Sequence, residues 1–539
     1  MTERSYDVVV VGGGPCGLLC SLLLSQYGVT SLVVDRHPDI SIHPKAMGIS
    51  RRTGEIFRQL GLYERMLAAD VSGPDYALSI WSKGLNGEIL GETPIVHAPD
   101  SVSPCKRFHC PQPHTEAVIA RVVQSGELST ILHYHEVEHS KEDGDGVQVT
   151  MRDRMTDESF SVRAKYVIGA DGARSTIREN LGIATEGPGE MGQYINTYCR
   201  ANYGPALAER KAILHQSLGE DFFEFFVTVN GHDLWLMHHH LEPEESVEDY
   251  PESRMIELIK QASGMPDIPV EIISVLPWVM SPKIALQWRI GRHILVGDAA
   301  ARLSPSGGLG MNTGLQSAHN LAWKLATVIR GAAADDLLDS YEAERLPVAR
   351  LTSNNSNENF HEVYAIVESA MSGEWEKARE YIASSRRAGT NLGQDLGLIY
   401  ETGAIVLDGT RAPVYEDPIN DYAPSGRPGG RAPHVWLDEA QSRSTLDCIG
   451  PGFVLFTGRD GMAWNAVLEH LDWPLVGPVA TELVVVDTVA VPGFCEAYGI
   501  ENDGAVLVRP DGYIAVRIPS LLSSKPDSMI QAARSLIGR

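Results

Sequence analysis

Cysteine is scarce and lies in no recognisable pattern: seven residues in 539, at Cys16, Cys20, Cys105, Cys110, Cys199, Cys448 and Cys495. The odd number, with no CxxC pair and no metal-ligand spacing, argues against a disulfide framework, a redox dithiol and a metal site. They read as reduced thiols of a cytoplasmic protein. Positive charge is also short, 45 Lys and Arg against 70 Asp and Glu, for a formal net charge of -25. No basic stripe offsets the excess, so neither nucleic acid nor an anionic membrane suits the chain, and a neutral small molecule suits it better. Long apolar runs are missing too. The run Val8 to Val11 follows Asp7 and stops at Gly12 to Gly14, which fits neither a signal peptide nor a membrane span. No internal repeat or low-complexity tract appears.

What remains is the composition of a globular protein, 43% hydrophobic and 21% charged, too long for one ordinary core. Two or three domains are expected. Tyr6 to Val11 reads as a strand, Gly17 to Tyr27 as a helix and Ser31 to Asp35 as a second strand. Strand-like stretches dominate Tyr76 to Leu90 and Arg200 to Val275, including Phe222 to Val229 and Leu234 to His240, and point to a sheet-rich unit interrupting the first. Prolines 413, 418, 424, 428 and 433 mark Arg411 to His434 as a linker. Beyond it, strand-like Phe453 to Thr457, Leu483 to Val489, Ala505 to Val508 and Tyr513 to Arg517 alternate with helical Ala463 to Leu471 and Ser528 to Leu536, an α/β layer of thioredoxin-like size.

The chemistry starts at Gly12-x-Gly14-x-x-Gly17, with Pro15 inside it, between the first strand and the first helix. Such a turn brings backbone amides at a helix start against a pyrophosphate. The pattern alone is weak; Asp35, ending the next strand roughly twenty residues on, supplies the carboxylate for ribose hydroxyls. Two further acidic turns, Gly169-Ala-Asp-Gly-Ala-Arg-Ser175 and Gly297-Asp-Ala-Ala300, also follow strand-like runs.

These three motifs, in this order, resemble the class A flavoprotein hydroxylases, the phenol hydroxylase and para-hydroxybenzoate hydroxylase group. The resemblance implies an α/β fold: a Rossmann-like FAD-binding domain (1–74, 101–180 and 286–400), an inserted substrate-binding β-sheet domain (75–100 and 181–285) and a thioredoxin-like C-terminal domain (415–539). It ties Asp171 and Gly172, with Ser175 and Arg178 behind them, to FAD and to NADH or NADPH. It sets Gly297 and Asp298 at the ribityl chain, and Pro305, Gly308, Gly310, Met311 and Asn312 at the flavin's pyrimidine edge. There the dipole of the helix Thr313 to Val328 would stabilise the negative charge of reduced flavin. His43-Pro-Lys45-Ala46, Arg51 and Gln112 match further cofactor contacts, and Arg36 falls beside the adenosine. Where the family often has His and Asp, this chain has Ala301 and Ser317. The tail from Arg431 to Gly512 looks like that of the larger members; lacking CxxC, it is expected to be structural or dimer-forming, which leaves a homodimer open.

The implied activity is hydroxylation of a phenolic or similarly activated ring with NAD(P)H and O2 through a flavin C4a-hydroperoxide. Baeyer-Villiger or other oxygenation of a polyketide- or alkaloid-like compound is the runner-up. An FAD dehydrogenase or disulfide reductase would carry a second nucleotide fingerprint or a CxxC, a flavin halogenase a Trp-x-Trp-x-Ile-Pro motif; neither occurs. A non-catalytic flavin scaffold is a minor alternative. No motif names the base that would deprotonate a phenol. His238 and His240 are its candidates, since strand alternation points them the same way; a surface or core histidine cluster is the plainer reading. Phe223, Phe225, Trp235, Trp278 and Pro305 are the candidates for lining an aromatic pocket, with core packing again the plainer alternative for the ring side chains.

Overall fold

A computed structural model describes residues 5–73, 75–385, 389–470, 481–522 and 526–536. Leu471, the far end of one expected helix, Pro74 and the extreme ends of the expected domains lie outside the described residues.

Valines 8 to 10 are wholly buried because their strand, Ser5–Val11, sits at the centre of a parallel sheet covered on both faces. Its neighbours are Ser31–Val34, then Ser129–Leu132, on one side, and Ser159–Gly169, then His293–Leu295, on the other, all parallel. The helix Pro15–Gln26 connects the first two strands and packs against the 20-residue helix Gly310–Ile329. An antiparallel hairpin, His135–Asp143 with Gly146–Asp153, extends the sheet from Ser159–Gly169. The fold class is therefore α/β with a dinucleotide-type sheet.

A second, seven-stranded sheet runs in the order Glu271–Met280, Gly192–Arg200, Leu234–Leu241, Phe223–Thr228, Ala212–Leu218, Ala77–Lys83, Ile89–Pro94. All its neighbours are antiparallel except Ala212–Leu218 and Ala77–Lys83. One face packs on the helix Glu252–Ser263 through Trp235, Phe226 and Tyr203 against Met255 and Ile259. The other is covered by the 33-residue helix Asp339–Met371, whose Phe360 meets Tyr194 and Met280 and whose Ile366 and Ala370 meet Trp81 and Leu218.

The C-terminal sheet has four strands, ordered Glu482–Val485, Val454–Thr457, Ala505–Val508, Ile514–Ile518; the first pair is parallel and the others antiparallel. The proline-rich stretch before it forms no helix or longer strand, as expected, yet it is no loose tether: residues 426–434 are buried. Arg431 explains this, because its guanidinium grips both carboxylate oxygens of Glu55, at 2.9 and 2.5 Å. Arg52 joins the same carboxylate at 2.9 Å and donates to the Asp511 carbonyl at 2.5 Å. Nearby, Arg509 holds Glu344 with two bonds of 2.8 Å and also binds Asp511, while Lys324 reaches Glu344 at 2.8 Å. These groups are almost fully excluded from solvent. The two cations beside Glu55 hold its carboxyl at about 2 against the cost of burial, and Arg509 and Lys324 do the same for Glu344.

Candidate functional site

The three glycine turns meet at the carboxyl ends of the parallel strands, where open α/β sheets bind ligands. Gly12 takes φ +107°, and a Cβ there would run into the Ala170 carbonyl and lie 2.9 Å from the Asp171 Cα. A Cβ at Gly17 would collide with the Gly12 carbonyl. These two glycines are thus required by close backbone approach. Gly14, by contrast, has nothing within 4 Å of its would-be Cβ. It caps a helix that starts with Pro15 and has no acidic residue in its first turn, which leaves the positive helix end open to an anion. Asp35 accepts from the Gly13 amide at 2.6 Å, so its carboxylate is fixed at the rim of the turn. Arg36 is exposed, with its carbonyl held by Arg154 at 2.9 Å.

Asp171 Oδ2 accepts from the Ile177 amide at 3.2 Å, Oδ1 has no partner among the described residues, and burial raises the carboxyl despite bonds from Ser175 and the following helix start. Gly172 beside it has φ +81°. Arg178 donates to the Ala173 carbonyl at 3.0 Å and the Ala299 carbonyl at 3.2 Å, bracing the second turn against the third. Gly297, at φ +65°, brings the third turn onto Cys16. Asp298 keeps an exposed surface yet is set deep among protein atoms; this enclosure raises its carboxyl, and Arg302 and Lys45 oppose the rise. Lys45 also acts on Glu116, which accepts from Gln112 at 2.7 Å and is raised by burial.

The loop from Pro305 turns through Gly307 and Gly308, at φ +116° and +69°, into the helix Gly310–Ile329. The first amide of this helix to bond back is that of Thr313, to the Leu309 carbonyl at 2.9 Å; those of Gly310, Met311 and Asn312 precede it. No acidic residue occupies this first turn, and nothing lies within 4 Å of a Cβ built at Gly308 or Gly310. An orphaned buried acidic oxygen, two open glycine cradles and two unblocked helix starts around one space fit a flavin dinucleotide.

Two cofactor candidates also hold the protein around them. Arg51 is buried, and its Nη1 donates to Asp395 at 3.1 Å and to the Thr390 carbonyl at 2.9 Å, so this nitrogen ties a neighbouring segment to the start of its helix. The Asn312 side chain accepts from the Ser50 amide at 2.9 Å and donates to the Gly48 and Gly308 carbonyls at 2.9 and 2.8 Å. It clamps the loop and leaves only its backbone amide for a ligand.

On the helix-covered face of the seven-stranded sheet, register places Asn196, His238, Phe225 and Gln216 side by side, with Trp278, Tyr194 and His240 in the row next to them. His238 stacks on Phe225 with centroids 4.3 Å apart and presents its edge to Trp278 at 6.3 Å; Trp278 stacks on Tyr194 at 4.7 Å. The expected alternation holds: His239 turns to the other face and meets Glu224 at 2.5 Å. Burial, and then nearby His43, push His238 down to about 3, so it is neutral at physiological pH and a poor proton acceptor. His240, partly exposed near Glu242, is also lowered by burial. Phe223 shares the face but packs among Trp81, Leu218 and Ile366. Trp235 belongs to the opposite face, edge-on to Tyr203 at 5.2 Å, because odd and even positions of its strand point apart; it is core, not pocket. Pro305 is exposed at the start of the flavin-side loop.

The sequence reading missed several residues. Glu116 had a signal, its i+4 spacing from Gln112 on a helix. Gly314 had none: a Cβ there would meet Cys16 Sγ at 2.5 Å and Gly297 Cα at 3.1 Å, an approach between distant segments. His43, bonded to Ser274 at 2.7 Å, was visible only as part of a loop motif.

Comparison with known proteins gives a consistent result. Residues 5–356 match the family described as FAD binding domain, and residues 425–539 the family described as aromatic-ring hydroxylase, C-terminal. The chain is similar to tetracenomycin A2 monooxygenase-dioxygenase of Streptomyces glaucescens, 31% identical over 100% of this chain and 98% of that protein. It is 33% identical, with the same coverage, to 4-methyl-5-nitrocatechol 5-monooxygenase of Burkholderia sp. Among solved structures, the flavin-dependent monooxygenase PieE in complex with FAD and substrate superposes with a TM-score of 0.92 at 29% identity, covering 100% of both chains. A ternary complex of aklavinone-11 hydroxylase with FAD and aklavinone gives 0.82 at 28%, again over 100% of both.

Proposed function

We propose, from the premise that this chain belongs to the family of FAD-dependent aromatic-ring hydroxylases, that it hydroxylates a phenolic or similarly activated ring at the sheet face around His238. The observation that carries this reading is the row of rings and neutral polar groups, Phe225, His238, Trp278 and Tyr194, on a sheet face within a flavoprotein monooxygenase framework. When bound, FAD supplies the redox chemistry by which electrons from NAD(P)H and an atom of O2 reach an organic substrate.

The residues divide the work as follows. Gly12, Gly14, Pro15 and Gly17 would seat the pyrophosphate at a helix start; Asp35 would take the ribose hydroxyls, with Arg36 at the adenosine rim. Gln112 and Asp298 would hold the ribityl chain, with Lys45 balancing the charge of Asp298 and Glu116. The amides of Gly310, Met311 and Asn312, on the loop from Pro305 and Gly308, would hold the pyrimidine edge and stabilise negative charge there. Asp171 and Gly172 serve the approach of the pyridine nucleotide. His238, held neutral, orients the substrate by hydrogen bonding, while Phe225 and Trp278 hold its rings. Tyr194 and Tyr364, joined through their hydroxyls at 2.8 Å, help exclude water.

A multi-ring natural-product substrate is the second reading, favoured by similarity to proteins named putative polyketide hydroxylase in two Streptomyces species. The separate sheets support three units with the boundaries given above, of which the last is a candidate dimer surface; light scattering would reveal a monomer if that is wrong. The seven free cysteines support a cytoplasmic location, which fractionation would check; among the described residues no helix is long and apolar enough to cross a membrane.

The test is to purify the protein, record bound flavin by absorbance, and follow NADH and NADPH oxidation with a panel of phenols and polycyclic phenols while assaying peroxide. Ring-stimulated oxidation with a hydroxylated product and little peroxide is expected. Bound flavin that neither nucleotide reduces with any ligand would overturn the proposal.

A further inference from the structure

The helix Gly310–Ile329 meets a guanidinium that pairs with no carboxylate among the described residues. Arg345, on the helix Asp339–Met371, has no exposed surface. Its Nε donates to Ser317 Oγ at 3.1 Å, its Nη2 to the Thr313 carbonyl at 3.3 Å and its Nη1 to Tyr400 Oη at 3.1 Å. All three acceptors are neutral, and among the described residues Arg345 has no carboxylate partner. The adjacent cluster does balance: Arg509 and Lys324 face Glu344 and Asp511. Ser317 also donates to the Thr313 carbonyl, at 2.8 Å, so the guanidinium is tied to the first two turns of the helix.

Guanidinium does not deprotonate in proteins, and an unpaired buried charge is costly. That cost falls when negative charge develops within reach of its field, which decays slowly in a dry interior. The same turn carries the unbonded amides of Gly310, Met311 and Asn312. We propose that Arg345 is a positioning and potential-setting residue, whose uncompensated charge acts through the Thr313 turn to favour the reduced, anionic form of the flavin over the oxidised form. This rests on the FAD assignment above. Ser317 sets the effect, because a carboxylate at that position, where the resemblance leads one to expect Asp, would pair with Arg345 and cancel it.

The experiment measures the flavin midpoint potential of the full-length holoenzyme by reductive titration against reference dyes, with melting temperature and affinity for oxidised FAD recorded in parallel. Arg345→Met and Ser317→Asp should both shift the midpoint to more negative values, and Arg345→Lys should hold it near wild type. By linkage, the preference for reduced over oxidised FAD should fall by the factor the shift implies. If Arg345→Met does not fold, Ser317→Asp, which leaves the arginine in place, carries the test. A Ser317→Asp protein with wild-type melting and flavin content but an unchanged midpoint would overturn the proposal while leaving the FAD assignment intact. A wild-type protein that binds no FAD overturns the assignment, and the proposal with it.

Discussion

In the dinucleotide groove the chemistry is carried by backbone: glycines that admit close approach, amides left free at two helix starts, and carboxylates fixed by neighbouring N–H groups. Across the molecule, on the seven-stranded sheet, it is carried by side chains brought side by side from five strands, Asn196, His238, Phe225, Gln216 and Trp278. The first arrangement is intolerant of added atoms and indifferent to most side chains. The second tolerates exchange of side chains and depends on register. Binding of a common cofactor and choice of a particular substrate are thereby placed on different physical supports.

This contrast can be broken by mutation. The largest effect is expected from Gly17→Val, which forces side-chain atoms into the Gly12 carbonyl: soluble protein should carry essentially no flavin, and a holoenzyme with normal absorbance would contradict the backbone account. Asp298→Ala should weaken FAD binding by about tenfold, ~1.4 kcal/mol, measured by fluorescence titration; wild-type retention would remove Asp298 from the cofactor site. His238→Ala should leave flavin content unchanged and raise KM several-fold. Because His238 lies near 3 rather than the ordinary 6.5, KM should be flat from pH 8 down to about 5; a rise centred near 6.5 would mean the ring titrates as a free imidazole. The smallest effect on catalysis is expected from Trp235→Phe: KM unmoved, with a stability loss of about 1–3 kcal/mol by chemical denaturation for trimming a buried ring. A changed KM would return Trp235 to the pocket.

The same contrast accounts for what the sequence made legible. Gly12, Gly14, Gly17 and Asp35 form a local unit in which spacing alone implies strand, turn and helix, and the second and third turns announce themselves likewise. The alternation of His238 and His240 against His239 was also readable, since it needs only one strand. That Trp235 would face the Glu252–Ser263 helix was not, because alternation divides a strand into two faces without saying which is inward toward a ligand. The motifs offer Arg51 and Asn312 as cofactor contacts but do not show the protein partners that also hold their side chains. Their partners, Asp395 and the Gly48 carbonyl, lie hundreds of positions away, beyond any local pattern. The proline-rich stretch misled in another way: its composition correctly excluded regular structure, but irregular backbone can still be packed when a side chain such as Arg431 finds a buried carboxylate.

That last junction bears on how such proteins can be recombined. Arg431 and the Arg509–Asp511 pair reach into Glu55, Arg52, Lys324 and Glu344 of the flavin-side sequence, all of them buried side chains. A C-terminal unit transplanted from a relative would have to satisfy each of those charges, since a buried ion that loses its partner costs about 3–5 kcal/mol. The tail is therefore not a portable module: a workable chimera carries its cut points past Glu55 and Glu344 and moves lock and key together.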